Sequence, residues 1–386
     1  MRLALGCTLA FGACANSPLP AGSPDLASRD LETPVCDSAK CCTPSFTAAV
    51  DYEVGMTPGA VVAADFDGDG SPDLAVTNSA AGSVGVLLNQ GNGTFAAAVN
   101  HPVGRSPSSA AAVDLDGDGN PDLAVANADD DNLSVLFNKG NGTFAASVIY
   151  PVGRLPTSVA AADFNGDGNP DLAVANFNDG TLSVLLNKGN GTLSAAVNYS
   201  FFGGSLEVVA ADLNGDGKPD LATSNGDGIS VLLNNGDGAF IAAVYYAVGG
   251  VTSALAVADL NGDGRPDIAA GDTLGSNIHI LFNQGDGTLA ATVDYPAGRT
   301  TWSIAAADFN SDGKPDLAVG NYLGNTASVL FNNDDKTFAP PVAYAVGTSP
   351  DSVAVSDLDG DGKPDLAVAN MNSNSVSVLL NSPHCI

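Results

Sequence analysis

Apolar runs of four to seven residues recur along the chain, each bracketed by Gly, Asn, Asp or Pro. One representative unit opens on a small-residue run, Ser158-Val159-Ala160-Ala161-Ala162, followed by an Asp-rich loop. A second run, Leu172-Ala173-Val174-Ala175, leads through a variable loop to a third, Leu182-Ser183-Val184-Leu185-Leu186. A turn from Asn187 to Thr192 and a fourth run around Ala195 to Tyr199 close the unit. Runs this short, set between turn formers, predict strands. The Ala-rich first runs are too short and too tightly bracketed by Pro and Gly to be helices.

The unit recurs seven times. Its most regular part reads Asp65-Phe66-Asp67-Gly68-Asp69-Gly70-Ser71-Pro72-Asp73, and later copies start at Asp114, Asp163, Asp212, Asp259, Asp308 and Asp357. Successive starts are 49, 49, 49, 47, 49 and 49 residues apart. Four short strands in a repeat of about 40–50 residues is the grammar of a propeller blade. The expected fold is therefore an all-β, seven-bladed β-propeller of four-stranded blades. Small residues in the first strand suit the crowded axis. The last repeat stops after its third strand, Val376 to Leu380, while Phe46 to Val54 copies the fourth-strand pattern of Phe95 to Val103. The N-terminal segment is thus expected to supply the outer strand of the seventh blade and close the ring, which removes the open ends of the array.

Length alone, at 386 residues, would suggest two or three domains. A repeat array escapes that limit, because every unit adds its own core. The expected organisation is an export signal over residues 1–15, a Cys-containing extension over 16–45, the propeller over 46–381 and a short tail over 382–386. Composition sharpens the picture: 43 acidic residues against 13 basic ones give a formal charge of -30. Nucleic acid is excluded as a partner, since phosphate binding needs a basic face. The acid excess is either a solubilising surface or a set of carboxylates clustered around cations.

The spacing favours cations. Calcium takes six to eight hard oxygens in flexible geometry. The loop offers side-chain oxygen at positions one, three, five and nine, with a backbone carbonyl at position seven. Glycines at positions four and six let the chain curl, and so many carboxylates without a cation would repel one another. The candidate metal ligands of the first three copies are Asp65, Asp67, Asp69, Ser71 and Asp73, then Asp114, Asp116, Asp118, Asn120 and Asp122, then Asp163, Asn165, Asp167, Asn169 and Asp171. The fourth and fifth copies offer Asp212, Asn214, Asp216, Lys218 and Asp220, then Asp259, Asn261, Asp263, Arg265 and Asp267. The sixth and seventh offer Asp308, Asn310, Asp312, Lys314 and Asp316, then Asp357, Asp359, Asp361, Lys363 and Asp365. Up to seven Ca2+ ions, one per blade, are expected. Asn at position three lowers the ligand charge in the four middle copies, and Ser311 replaces a loop glycine in the sixth, which ranks weakest. Position twelve of the first loop is Val76 and the flanks are strands, so the site is not an EF-hand. The competing reading is that these loops are only Asx turns.

Copies such as Asp212-Leu213-Asn214-Gly215-Asp216-Gly217-Lys218-Pro219-Asp220-Leu221, with turns such as Asn283 to Thr288, make the chain resemble the FG-GAP/VCBS repeat family over about residues 46–381. That family includes the integrin α-chain propeller, seven-bladed fungal lectins and many bacterial secreted proteins. The resemblance implies a seven-bladed propeller with calcium between strands one and two. Departures are Ser311 and the sixth turn, Asp334-Asp335-Lys336, where glycines usually sit.

In such a blade the loops between strands one and two and strands three and four share one face. The other face varies from copy to copy, and recognition belongs on variable loops. Its candidate ligand-binding residues are Arg105, Arg154 and Arg299 before the first strands, Trp302 beside the last of these, and Phe177, Tyr322 and Met371 between strands two and three. Exposed aromatics suit sugar stacking. The alternative is that Trp302 packs between blades and the arginines pair with nearby acids. No nucleophile or metalloenzyme motif surrounds His101, His279 or His384. Sequons at Asn92, Asn132, Asn141, Asn190 and Asn198 matter only in a eukaryotic host, and three of them are turn residues in any case.

Arg2, an apolar stretch from Leu3 to Ala15 and the Ala13-Cys14-Ala15 sequence read as a secretory signal. Phe11-Gly12-Ala13-Cys14 loosely resembles a lipobox, so a lipid-anchored envelope protein is the alternative. Beyond the signal stand Cys36, Cys41, Cys42 and Cys385, an even set that suggests disulfides in an exported chain. Their pairing is open, although ring closure brings Cys41 and Cys42 towards Cys385. No stretch is long and apolar enough to span a membrane. The expected function is a secreted, monomeric calcium-binding propeller for adhesion or for recognition of a glycan or extracellular protein. The alternatives are a carbohydrate-active lyase or hydrolase on the same scaffold and a purely structural envelope protein.

Overall fold

The computed structural model describes residues 42–43, 45–201, 203–333, 336–382 and 384–385. The expected signal segment, Cys36, Cys41 and the Asp334–Asp335 turn lie outside these residues.

Seven four-stranded antiparallel sheets follow one another in chain order, and no helix occurs among the described residues. The first blade runs Pro58–Ala64, Asp73–Asn78, Ser83–Leu87 and Val99–Pro102. The seventh takes Pro350–Ser356, Asp365–Asn370 and Ser375–Leu379 from the end of the chain and Val50–Glu53 from its beginning. Val50 stands opposite Val378 and Glu53 opposite Ser375, so the expected closure by an N-terminal outer strand is observed. First strands of successive blades lie against one another around the whole ring, the seventh against the first included.

Burial follows from this stacking. Every second strand is buried along its full length, because both of its faces are covered by neighbouring blades. Such strands read as continuous apolar runs rather than alternations. The core is accordingly divided into seven clusters, one per blade junction; Leu74 and Val76 of the first blade, for example, meet Ala367 and Ala369 of the seventh. Outer strands are exposed except at one residue, usually Tyr, that turns inward. Tyr52 and Tyr295 meet Phe95 and Phe338 of the next blade edge-on, with ring centroids 5.4 and 5.2 Å apart.

Two local features differ from the sequence expectation. The ninth loop residue is the first residue of strand two rather than a loop residue, as at Asp73 and Asp171. In the fourth blade the first strand is reduced to Val208–Ala211. The Pro that starts most first strands is replaced there by Ser205, and Glu207 is held instead by side chains. Its carbonyl accepts from Thr223 Oγ1 at 2.8 Å, and its N–H donates to Ser224 Oγ at 2.9 Å.

Candidate metal centres and the axial pocket

Each Asp loop is wound around its first carboxylate. Asp65 Oδ1 accepts from the N–H groups of Gly68 (2.7 Å) and Asp69 (3.2 Å), and Oδ2 accepts from Gly70 (2.9 Å). Gly68 and Gly70 have φ of 78° and 92°. A Cβ at Gly70 would meet nothing within 4 Å, so glycine is needed there for its conformation and not for space. Ser311 takes the same left-handed conformation without that freedom, at φ 59°, which supports the low rank of the sixth loop.

Carboxylate oxygens of Asp65, Asp67 and Asp73 converge within 4.8 Å of one another, as do those of Asp114, Asp116 and Asp122 and those of Asp357, Asp359 and Asp361. These acidic groups could hold a metal ion. The four middle loops form no such trio among the described residues, because position three is an amide. Asn261 turns its Nδ2 to both oxygens of Asp267 at 3.2 and 3.0 Å, and Asn165 donates to Asp167 at 3.0 Å. At position seven the long basic side chains do not ligate. Lys363 Nζ lies 2.5 Å from Asp361 Oδ2, Lys218 donates to the Asn235 carbonyl at 3.1 Å, and Arg265 to that of Gln284 at 2.9 Å. Only the backbone carbonyl of this position is left to serve a cation.

The ninth residue has a second role that its place in the motif does not reveal. Asp73 is fully buried. Its Oδ2 accepts from Phe66 N–H at 2.8 Å and its Oδ1 from Asn89 N–H at 2.7 Å, which ties the loop to the turn between strands three and four. Burial raises its pKa to about 6 against the pull of those two N–H groups, and the charges of Asp67 and Asp65 push the same way as burial. The side chain of Asn89 then donates to Pro72 O and, across the blade junction, to Leu358 O, both at 2.8 Å. Asn138, Asn187, Asn234, Asn283, Asn332 and Asn381 make the same inter-blade bond. These asparagines are legible in the sequence as the first residue of each repeated turn, but they read there as turn formers only.

The opposite face sorts the remaining candidates. Arg105 and Arg154 are spent on ion pairs with Asp130 and Asp179, each at 2.6 Å. Arg299 is exposed, and its guanidinium has no partner among the described residues. Phe177 is exposed beside Gly204. Trp302 does not pack between blades: it is 38% exposed, with its ring centroid 5.4 Å from that of Tyr322, whose hydroxyl lies 3.6 Å from Met371 Sδ.

Trp302 and Met371 border a cavity of about 410 Å³ at the axis, to which the first strands of all seven blades contribute. Two registers of those strands face it. One carries Gly59, Ser108, Thr157, Leu206, Ser253, Trp302 and Asp351; the other carries Ala60, Ser109, Ser158, Glu207, Ser303 and Ser352, while Ala254 at that register in the fifth blade is buried in the core. Small residues dominate, and Glu207, Asp351 and Trp302 break the pattern. Where most blades have serine, its Oγ accepts a backbone N–H of the next blade, as Ser352 does from Val61 at 3.2 Å. Glu207 keeps that bond through Oε2, to Leu255 N–H at 2.9 Å. Burial raises its pKa to about 8, with the Leu255 N–H acting the other way, and burial raises Asp351 to about 6. Asp351 Oδ1 is buried without a hydrogen-bond partner among the described residues.

The FG-GAP-like repeat model matches residues 65–125, 114–174, 163–223, 212–270, 259–319 and 308–368. No curated protein matches the chain. Among solved structures, a chain of the BBS1N complex with ARL6DN is 12% identical at a TM-score of 0.63, covering 87% of this chain and 97% of its own. A streptogramin B lyase is 13% identical at 0.61, covering 87% and 98%. An Agrocybe aegerita lectin that recognises non-reducing terminal N-acetylglucosamine is 22% identical at 0.53, covering 82% and 86%. At these identities the likeness is one of fold. The family model spans most of the propeller, loop by loop, and the chain belongs to the FG-GAP-like repeat proteins.

Proposed function

We propose that this chain is a secreted, calcium-loaded propeller that recognises a glycan or an extracellular protein. The observation that carries the reading is the difference between its two faces. On one, seven near-identical Asp loops are hydrogen-bonded blade to blade. On the other, the residues that depart from the repeat gather about the axis. A repeated face is scaffold, and a varied one is where recognition is built on a rigid frame.

Calcium suits the loops by the chemistry of the donor set. In the first, second and seventh loops hard carboxylate oxygens at positions one, three, and five or nine converge, and the backbone carbonyl of position seven is a further candidate oxygen. Asp65, Asp67 and Asp73 would hold the ion in the first blade, Asp114, Asp116 and Asp122 in the second, and Asp357, Asp359 and Asp361 in the seventh. The ion would supply charge neutralisation and rigidity rather than chemistry. The signal-like N-terminus and the even cysteine set beyond it support export.

A glycan and matrix-protein array, read once in calcium and once in chelator, tests the proposal. Calcium-dependent binding to a defined class is the expected result. Silence in both conditions from folded protein overturns it. A carbohydrate-active enzyme is a second reading, favoured by one observation: two carboxyl groups with raised and different pKa values share one cavity. Turnover of a polysaccharide that is abolished in Glu207→Gln would establish it.

A further inference from the structure

We propose that the axial pocket binds a small organic amine, with Asp351 as its anionic partner, the Glu207 carboxyl as a further polar contact and the indole of Trp302 as its cation-binding wall. This rests on the recognition reading above and names the chemistry of one site within it.

The lining is rich in oxygen atoms: Ser109, Ser158, Ser303 and Ser352 accept backbone N–H groups and keep a hydroxyl proton, whereas three other hydroxyls have theirs committed. The hydroxyl protons of Ser108, Thr157 and Ser253 are spent on the carbonyls of Pro156, Ser205 and Thr301 in the next blade, at 2.8, 2.8 and 2.9 Å. Their oxygens can therefore only accept from the cavity. Glu207 gives one oxygen to Leu255 N–H, and Asp351 holds a buried oxygen with no partner among the described residues. No basic side chain lines the cavity. A site with an unpartnered carboxylate oxygen and no basic side chain among the described residues selects a ligand that carries donors and positive charge.

The geometry selects an organic cation over a metal ion. The acidic trios tight enough for a metal all lie in the Asp loops among the described residues, and neither Glu207 nor Asp351 belongs to one. The two carboxyl groups come from the fourth and seventh blades, three blades apart around the ring. Trp302 stands in the blade next to that of Asp351 and offers an exposed ring face. An ammonium over an indole and beside a carboxylate gains from both. Leu206 and Met371 supply apolar surface for the frame that carries it. Gly59, in the first blade, leaves space beside Asp351: a Cβ there would fall 3.7 Å from Oδ2.

Trp302 is the only tryptophan in the chain, so its emission reports on this pocket alone. The calcium-saturated full chain would be titrated with agmatine, cyclohexylamine and glucosamine, and with the neutral cyclohexanol and glucose, by fluorescence and by calorimetry. At least one amine is expected to give a saturable change that its neutral counterpart does not. Asp351→Asn should weaken it by about tenfold, as expected for loss of a charge-assisted contact. Glu207→Gln keeps the acceptor for Leu255 and removes no charge near neutral pH, so it should change affinity less than Asp351→Asn does, without unfolding the ring. Absence of saturable heat or emission change with every amine overturns the proposal, as does equal binding of amines and neutral counterparts, or affinity unchanged in folded Asp351→Asn. Amine silence alongside a calcium-dependent array signal overturns this assignment alone. Amine binding alongside a silent array sustains it and overturns the glycan or protein recognition reading.

Discussion

The side-chain amide of Asn89 donates to the carbonyl oxygen of Leu358 at 2.8 Å, joining residues 269 positions apart. Blade one is thereby fastened to blade seven by the same bond that Asn138 makes to Phe66, and Asn187 to Leu115, between blades that follow one another in the chain. A closed ring makes the junction between first and last blades equivalent to the rest. Asn89→Ala and Asn138→Ala should each cost about 1–3 kcal/mol, since two buried carbonyls lose their donor in either case. Urea denaturation of both variants measures this. A cost at Asn89 well below that at Asn138 would mean that the ring opens at the junction between its first and last blades.

Calcium binding to the folded chain alone should raise its stability by about 2.7 kcal/mol per site at a hundredfold excess over Kd. Exhaustive chelation is therefore expected to lower the melting temperature by many degrees, and an unchanged value would remove calcium from the account. The loops should also differ among themselves. Asn165→Asp adds a charge to the third loop and should tighten it by about tenfold, whereas Asp116→Asn should loosen the second by a similar factor. Calcium calorimetry on each variant reads the change.

The pocket carboxyls give a pH dependence whose sign can be worked out. Glu207 titrates near 4.5 when unfolded and near 8 in the fold. The folded state therefore holds a proton that the unfolded state has released between these values. Stability from this group is fully present below about pH 4.5 and is lost as pH rises through about 8. Glu207→Gln cannot titrate. Relative to it, the parent chain should lose stability steadily from pH 5 to pH 9. Melting curves of the two proteins across that range should diverge upward in pH, and parallel curves would show that the group is solvated in the fold.

The propeller was legible because its signal is repeated seven times: strand lengths, turn residues and Asp loops all pointed to one fold. The position-nine carboxylates were legible as acids but not as the ties between loop and turn, since their bonds to Asn89 and its counterparts run to another part of the blade. The axial pocket was harder to see. Its walls come from single residues about 49 positions apart, and Glu207 looks in the chain like one acid beside an apolar run. It stands out only when the register Ala60, Ser109, Ser158, Glu207 is set side by side. For Arg105 and Arg154 the alternative of pairing with acids holds, although the sequence did not name the acids: Asp130 and Asp179 lie 25 residues further on.

Blade five replaces a repeated buried pair. In five of the other blades an asparagine closing strand two donates to a serine in strand three, as Asn176 does to Ser183 at 2.9 Å; the first blade has Gly85 there. In blade five the two positions carry Asp272 and His279, and His279 Nδ1 lies 2.7 Å from Asp294. His279 is buried, so its removal leaves two acids facing each other across an empty volume. His279→Ala should cost about 1–3 kcal/mol, the range for losing a buried side chain with its hydrogen bond. The double change His279→Ser with Asp272→Asn restores the pair used in those five blades and should recover most of that loss, a coupling that a double-mutant cycle measures. Additive costs would show that the two positions do not act together.

The register of the short terminal pairing sets Cys42 opposite Cys385, with Thr43 opposite His384. Directly opposed residues in an antiparallel pair have Cα atoms about 4.5–5.5 Å apart, within the range that a disulfide spans. In an exported chain this pair is expected to be oxidised. The bond would hold the outer strand of blade seven to the third strand it pairs with, and so lock the ring at its closure. Because it closes a loop of nearly the whole chain, it should add about 6 kcal/mol on the chain-entropy account. Peptide mapping without reduction should recover a Cys42–Cys385 linked pair, and Cys385→Ser should lower the melting temperature of the oxidised protein but not of the reduced one. A free Cys385 in protein recovered from the oxidising compartment would leave the ring closed by its hydrogen bonds alone.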